Sequence, residues 1–122
     1  MPRFVILEHD HPELHWDLML EAAAGDVLRT WRLAAPPAPG QVVAAAASFD
    51  HRPLYLDYEG PISGGRGSVR RWDAGTFTWE ADSPERVAVR LEGRRLAGVA
   101  VLRRVGEGNW ELRCAGPGEP PP

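Results

Sequence analysis

The chain has 122 residues, of which 43% are hydrophobic and 25% charged, and its formal net charge is −3. This composition indicates one soluble globular domain, because two hydrophobic cores need a longer chain. The apolar runs are too short to span a bilayer, and the net charge excludes binding to nucleic acid through an overall positive field. The N-terminus lacks the layout of a signal peptide, so we expect a cytoplasmic protein, and we expect a monomer.

Short segments of alternating or uninterrupted apolar residues predict β-strands along most of the chain. The alanine run after residue 42 would suit a helix by propensity alone, but its neighbours favour a strand. Glycine-rich turns, of which 63–67 is the most flexible, separate the segments. The predicted strands lie at 3–7, 15–22, 27–33, 42–49, 72–81 and 109–114, with a hairpin over 87–105.

About eight short strands with almost no helical periodicity predict a mainly β fold, either a barrel or a sandwich. A small antiparallel β-barrel is favoured, because closure removes the exposed strand edges. We expect this single domain to occupy residues 1–115. The Pro/Gly-rich residues 116–122 are predicted to be a disordered tail.

Residues 8–17, EHDHPELHWD, contain three of the four histidines in the chain. In a strand, His15 and Asp17 lie on the same face, and His9 can fold back across the intervening loop. Two imidazoles and one carboxylate suit a divalent first-row metal such as zinc, iron or manganese, with coordination positions left open for a substrate and a water. The alternative is a solvated polar loop, which is how we interpret Asp10, His11 and Glu13.

The segment FVILEHDHPELHWDLMLE (4–21) resembles the opening of the 3′-phosphoesterase domain at the N-terminus of bacterial ligase D, a DNA end-joining enzyme. That family reads approximately F-V-x-x-x-H-D-A-x-x-x-H-Y-D-L-R-L-E. The resemblance extends in order over residues 3–113 and implies a stand-alone member with a partly altered active site. The further matching segments are VLRTW (27–31), FDHRPLYLDYEG (49–60), WDAGTFTWE (72–80), VRLEGRRLAGVAVLRR (89–104) and NWEL (109–112).

The resemblance implies a metal-dependent reaction at DNA 3′ ends. The metal would be held by His9, His15 and Asp17, and manganese is the usual ion, with zinc or another first-row metal as alternatives. His51 and Tyr55 would approach the phosphate, although His51 also fits a simple turn and Tyr55 a core aromatic. The reaction would remove a 3′-phosphate or a 3′-ribonucleoside from DNA or RNA-tipped DNA and leave a 3′-hydroxyl. End-joining repair proteins would be partners.

Three cations of the family pattern are missing, since Met19, Ala35 and Val43 stand in their places. Either the protein is still a phosphoesterase with new cationic contacts, or it is a catalytically altered metal-binding module. Such a module would bind a nucleic-acid or protein partner, or act on a smaller phosphate ester. Retention of the three metal-binding residues favours the enzyme. The new substrate-binding cations would be Arg32, Arg66, Arg70 and Arg71.

Overall fold

The computed structural model describes all residues from 1 to 122, and nearly all of its regular structure is β-strand. One short 3₁₀ turn, η1, spans Pro53–Leu56 and contains the only helical residues. No helix is long and apolar enough to cross a membrane. The strands are β1 (Arg3–His9), β2 (His15–Glu21), β3 (Leu28–Leu33), β4 (Val42–His51), β5 (Gly60–Pro61), β6 (Ser68–Asp82), β7 (Arg86–Gly93), β8 (Ala97–Gly106) and β9 (Asn109–Cys114).

Eight of these strands close into an antiparallel barrel, which confirms the predicted fold class. Their order around the barrel is β1-β2-β3-β4-β9-β8-β7-β6, and β6 pairs back with β1. The two-residue β5 pairs with the start of β6 outside this ring. The alanine run lies in β4 between β3 and β9, so the ladder bonds on both sides override its helical propensity.

One difference from the sequence prediction concerns β6. A strand was predicted at 72–81, but it begins earlier, at Ser68, and continues to Asp82 as one strand of 15 residues. The strand is continuous because its first part pairs with β1 and its last part with β7. Residues beyond Cys114 add no strand, and the disorder of 116–122 stays a prediction.

The barrel interior holds the main hydrophobic core, and a second, smaller core lies on the outer face of β1 and β2. Along β1, Phe4 and Ile6 point into the barrel, while Val5 and Leu7 belong to the outer cluster. A strand buried on both faces explains the uninterrupted apolar run at its centre. Leu56 of η1 belongs to the outer core, so the segment after β4 packs over this face.

A buried carboxylate fixes the turn between β7 and β8. Asp73 is 3% exposed and accepts backbone hydrogen bonds from four residues. Three of the donors reach Oδ1, and the N–H of Leu96 reaches Oδ2 at 2.9 Å. Three of these bonds satisfy amides of the turn that have no strand partner there, so Asp73 serves the fold. The other donors are Ala74 at 2.9 Å, Arg94 at 2.8 Å and Arg95 at 3.1 Å.

Candidate functional site

The strand alternation in β2 places its polar side chains on the outside of the barrel. Trp16, Leu18 and Leu20 face the interior, so His15 and Asp17 project from the outer face beside the second core. His9, the last residue of β1, is paired directly with His15, the first residue of β2. The nearest ligand atoms of the two histidines and Asp17 all lie within 4.8 Å of one another. The fold therefore brings the three predicted metal-binding residues together.

Backbone carbonyls fix the tautomer of both imidazoles. The Nε2 of His9 lies 2.8 Å from the carbonyl oxygen of Arg66, and the Nδ1 of His15 lies 2.8 Å from the carbonyl oxygen of Glu13. A carbonyl can only accept, so each of these nitrogens carries its ring proton and donates it. In the neutral imidazoles, the opposite nitrogens, Nδ1 of His9 and Nε2 of His15, carry the lone pairs. This arrangement is typical of histidines that bind a metal.

The two lone pairs face the carboxylate of Asp17. Its Oδ2 lies 3.2 Å from Nε2 of His15 and 3.8 Å from Nδ1 of His9. Asp17 is 4% exposed and receives no other hydrogen bond from the protein. Three acceptors with no donor among them, two of them on the buried residues His15 and Asp17, are unfavourable unless a positive charge such as a metal ion lies between them. The donor set therefore fits a divalent first-row metal, although the ligand role itself stays a prediction.

A cavity of about 430 Å³ opens beside His9 and Asp17, which both line it. Leu7 and Met19 of the second core also line the cavity, as do His51 and Tyr55. Both predicted catalytic residues thus lie in the same cavity as two of the three predicted metal-binding residues. Tyr55 also packs against the second core, so it serves as a core aromatic as well.

His51, the last residue of β4, is held in one tautomer by Thr30. The hydroxyl of Thr30 donates its only hydrogen to the carbonyl of Leu28 at 3.0 Å. It must therefore accept from Nδ1 of His51, which lies 2.9 Å away. This leaves a lone pair on Nε2, and burial lowers the pKa of His51 below its ordinary value. A neutral imidazole with a free Nε2 is suited to accepting a proton at neutral pH.

The lowered pKa of His51 makes the free energy of unfolding depend on pH. Because the unfolded chain protonates this imidazole near its ordinary pKa of about 6.5, the unfolded state takes up more protons as the pH falls below that value. We expect stability to decrease from pH 7 to pH 5 more steeply in the wild type than in His51→Asn, which keeps a donor for Thr30. Urea unfolding of both proteins in metal-free buffer measures the two slopes. Equal slopes would contradict the lowered pKa.

The four predicted substrate-binding arginines divide into two pairs. Arg32 and Arg66 line the cavity, whereas Arg70 and Arg71 do not. Arg70 forms an ion pair with Glu8, and Arg71 reaches the carbonyl of Leu56 at 3.4 Å. Their role in substrate binding stays a prediction, and this placement does not favour it.

Arg32 is the cation best placed for a ligand. It is the cross-strand neighbour of Asp17, is exposed, and makes no ion pair. The guanidinium of Arg66 is bonded to the carbonyl of Ser63 at 2.7 Å, while its own carbonyl orients His9. Arg66 therefore contributes to the site in two ways, because its carbonyl orients His9 and its side chain adds a positive charge to the cavity.

Two further residues that line the cavity, Phe49 and Arg52, were not predicted from the sequence. Arg52 is exposed and makes no ion pair, and its position directly after His51 was the available signal. The cavity is thus lined by three arginines, Arg32, Arg52 and Arg66. Two carboxylates, those of Asp17 and Asp50, also line it. The cavity therefore has a local excess of positive charge within a chain of net charge −3.

Two of the three positions where the family pattern has a cation are occupied by core residues. Met19 is 2% exposed and belongs to the second core, and Val43 is 4% exposed and lies in the barrel interior. Ala35 is exposed in the loop before β4 and does not line the cavity. The arginines that line the cavity therefore stand at other positions in the chain than the three cations of the family pattern.

The family model for the DNA ligase D 3′-phosphoesterase domain matches residues 7–104, which is well over half of the chain. A search of curated proteins finds no match. The matched range contains His9, His15 and Asp17, the predicted metal-binding trio, together with His51, Tyr55 and all three cavity arginines. The chain belongs to the DNA ligase D 3′-phosphoesterase domain family.

Proposed function

We propose that the protein is a metal-dependent phosphoesterase acting on the 3′ ends of DNA or RNA-tipped DNA. It would remove a 3′-phosphate or a 3′-ribonucleoside and leave a 3′-hydroxyl. The observation that carries this proposal is the trio of His9, His15 and Asp17, whose three acceptors converge beside a cation-lined cavity. We further propose a cytoplasmic monomer that works with end-joining repair proteins.

The trio would bind the metal through Nδ1 of His9, Nε2 of His15 and the carboxylate of Asp17. Manganese is the ion we propose, and zinc or another first-row metal also fits these donors. When bound, the metal polarises phosphoryl oxygens and stabilises the charge that develops on them. The carbonyls of Glu13 and Arg66 keep both imidazoles in the metal-binding tautomer.

The other cavity residues would bind the phosphate and move a proton. Arg32 and Arg52 have no ion-pair partner, so their guanidinium groups are free to donate to phosphoryl oxygens. In hydrolysis, a water oxygen bonds to phosphorus, the bond from phosphorus to the 3′ oxygen breaks, and the 3′ oxygen receives a proton. The Nε2 of His51 can accept the proton of the water and return it to the leaving oxygen. Tyr55, edge-on to His51 with ring centroids 5.6 Å apart, would orient that ring.

The assay for this proposal is release of phosphate from a primer–template that ends in a 3′-phosphate, with manganese added. We expect release by the wild type and a loss of more than about 100-fold in His9→Ala, because one metal ligand is removed. His11→Ala is the control, since it removes a histidine only two residues from His9 that lies outside the trio. Equal phosphate release by the wild type and His9→Ala would overturn the proposal.

A smaller phosphate ester is a second candidate substrate. The observation in its favour is that Met19 and Val43 are apolar core residues where the family pattern has phosphate-binding cations. Parallel reactions with p-nitrophenyl phosphate separate the two substrates. Hydrolysis of p-nitrophenyl phosphate without release of phosphate from the primer–template would show that the substrate is a small phosphate ester.

A further inference from the structure

Phe49 is the one exposed aromatic side chain among the ten in the protein. It is 72% exposed, whereas the other phenylalanines, Phe4 and Phe77, are no more than 1% exposed. A single exposed apolar residue is ordinary, so exposure alone assigns no role. Its surroundings, however, distinguish Phe49 from the other exposed apolar residues.

Phe49 lies at the rim of the cavity and is already stacked on a residue of the site. It is two residues before His51 in β4, so the two side chains project from the same side of the strand. Their ring centroids are 4.6 Å apart and the ring planes differ by 21°. One face of Phe49 is therefore covered by His51, and its high exposure leaves the other face open to solvent.

The charges around Phe49 indicate the ligand that would cover this open face. Arg32 and Arg52 line the same cavity without ion-pair partners, so phosphate groups would be held within reach of the ring. A flat aromatic face beside phosphate-binding cations is the combination that single-stranded nucleic acids use, because every base stacks on an aromatic ring regardless of sequence. We infer that Phe49 stacks on the base of the 3′-terminal nucleotide.

This inference rests on the proposed function for the identity of the substrate and adds how its end is held. A base that stacks on Phe49 cannot stay stacked on its neighbour in a duplex. The site therefore takes a terminal nucleotide that is unpaired or frayed, with little preference among the four bases. The phosphate on that nucleotide would lie on the His51 side of the ring, towards the metal-binding trio.

The test is equilibrium binding of a short single-stranded oligonucleotide with a 3′-phosphate, in metal-free buffer where no turnover occurs. Fluorescence anisotropy is measured for the wild type, Phe49→Ala, Phe49→Trp and Val105→Ala, a control that removes another exposed apolar side chain outside the cavity. We expect Phe49→Ala to weaken binding about tenfold and Phe49→Trp to retain it. Val105→Ala should bind as the wild type does.

A second oligonucleotide, with an abasic residue at its 3′ end, separates stacking from a structural effect. The wild type should bind it about tenfold more weakly than the complete oligonucleotide, and Phe49→Ala should weaken binding no further.

Two results would overturn the inference. One is equal binding of the complete and abasic oligonucleotides by the wild type, and the other is the absence of any binding of the 3′-phosphate oligonucleotide. Neither measurement depends on catalysis. A protein that binds the terminal base but releases no phosphate would refute the proposed reaction and keep the role of Phe49.

Discussion

Asp17→Asn is expected to abolish metal binding and phosphoesterase activity while it stabilises the metal-free protein. In the wild type, the buried Oδ2 of Asp17 faces two imidazole lone pairs at 3.2 and 3.8 Å without a donor between them. The asparagine amide can place an N–H there and donate to Nε2 of His15. We expect the free energy of unfolding without metal to rise by about 1 kcal/mol, the usual contribution of one hydrogen bond.

The same substitution removes the charged ligand of the trio, so its effect with metal has the opposite sign. Manganese at 100 times its Kd should stabilise the wild type by about 2.7 kcal/mol. In Asp17→Asn the affinity should fall by more than about 100-fold, since changes to groups that merely orient a ligand already cost up to that much. The added stability should then disappear.

Urea unfolding of both proteins, with EDTA and with manganese, measures these two effects together. The expected result is a crossing, in which the variant is the more stable protein without metal and the less stable one with it. A variant that is less stable than the wild type in EDTA would show that Asp17 is a structural carboxylate. A variant that manganese stabilises as much as the wild type would exclude Asp17 as a ligand.

Asp73→Ala is expected to cost roughly 3 kcal/mol or more of the free energy of unfolding. Its carboxylate accepts four backbone hydrogen bonds at 2.8–3.1 Å, and alanine would leave three amides of the β7–β8 turn and the amide of Ala74 without this partner. Each buried donor without a partner costs about 1–3 kcal/mol, although water will reach some of them. A small domain has only about 5–15 kcal/mol of stability, so this change should be among the most destabilising single substitutions.

Thermal and urea unfolding of Asp73→Ala measures the cost, and Asp26→Ala is the matched control. Asp26 is an exposed aspartate in the turn before β3 and forms no hydrogen bond with its side chain, so its removal should change stability by no more than about 0.5 kcal/mol. The loss of stability in Asp73→Asn should lie between those of the other two variants, because its single amide oxygen can accept only some of the four hydrogen bonds of the carboxylate. A decrease of less than about 1 kcal/mol in the free energy of unfolding of Asp73→Ala would show that the turn is stable without this carboxylate.

Local sequence patterns were sufficient to predict most of the strands and the shared face of His15 and Asp17. The alternation of Trp16, Leu18 and Leu20 with polar residues indicated which face of β2 carries His15 and Asp17. Turn residues marked the strand ends, and the number of strands favoured closure into a barrel. These features depend on residues within one strand or hairpin, where period-two alternation is a reliable physical signal.

The roles of the remaining residues depend on contacts between distant segments. The carbonyl that orients His9 belongs to Arg66, 57 residues later, and the hydroxyl that orients His51 belongs to Thr30, 21 residues earlier. The segment around Asp73 was predicted to be a strand. Nothing in the sequence indicated that the Asp73 carboxylate accepts hydrogen bonds from a turn 21 residues later. No local pattern contains such pairings.

The sequence by itself determined the barrel and the residue types that gather at its outer face, because strand alternation and turn chemistry are local properties. Tertiary structure alone decided which cations surround that face. It placed Arg32 and Arg52 at the cavity and Arg70 and Arg71 away from it, and it left Phe49 exposed beside His51. The physical reason is that the closure of the barrel and the packing of the segment after β4 set these positions, and both depend on register between strands far apart in the chain.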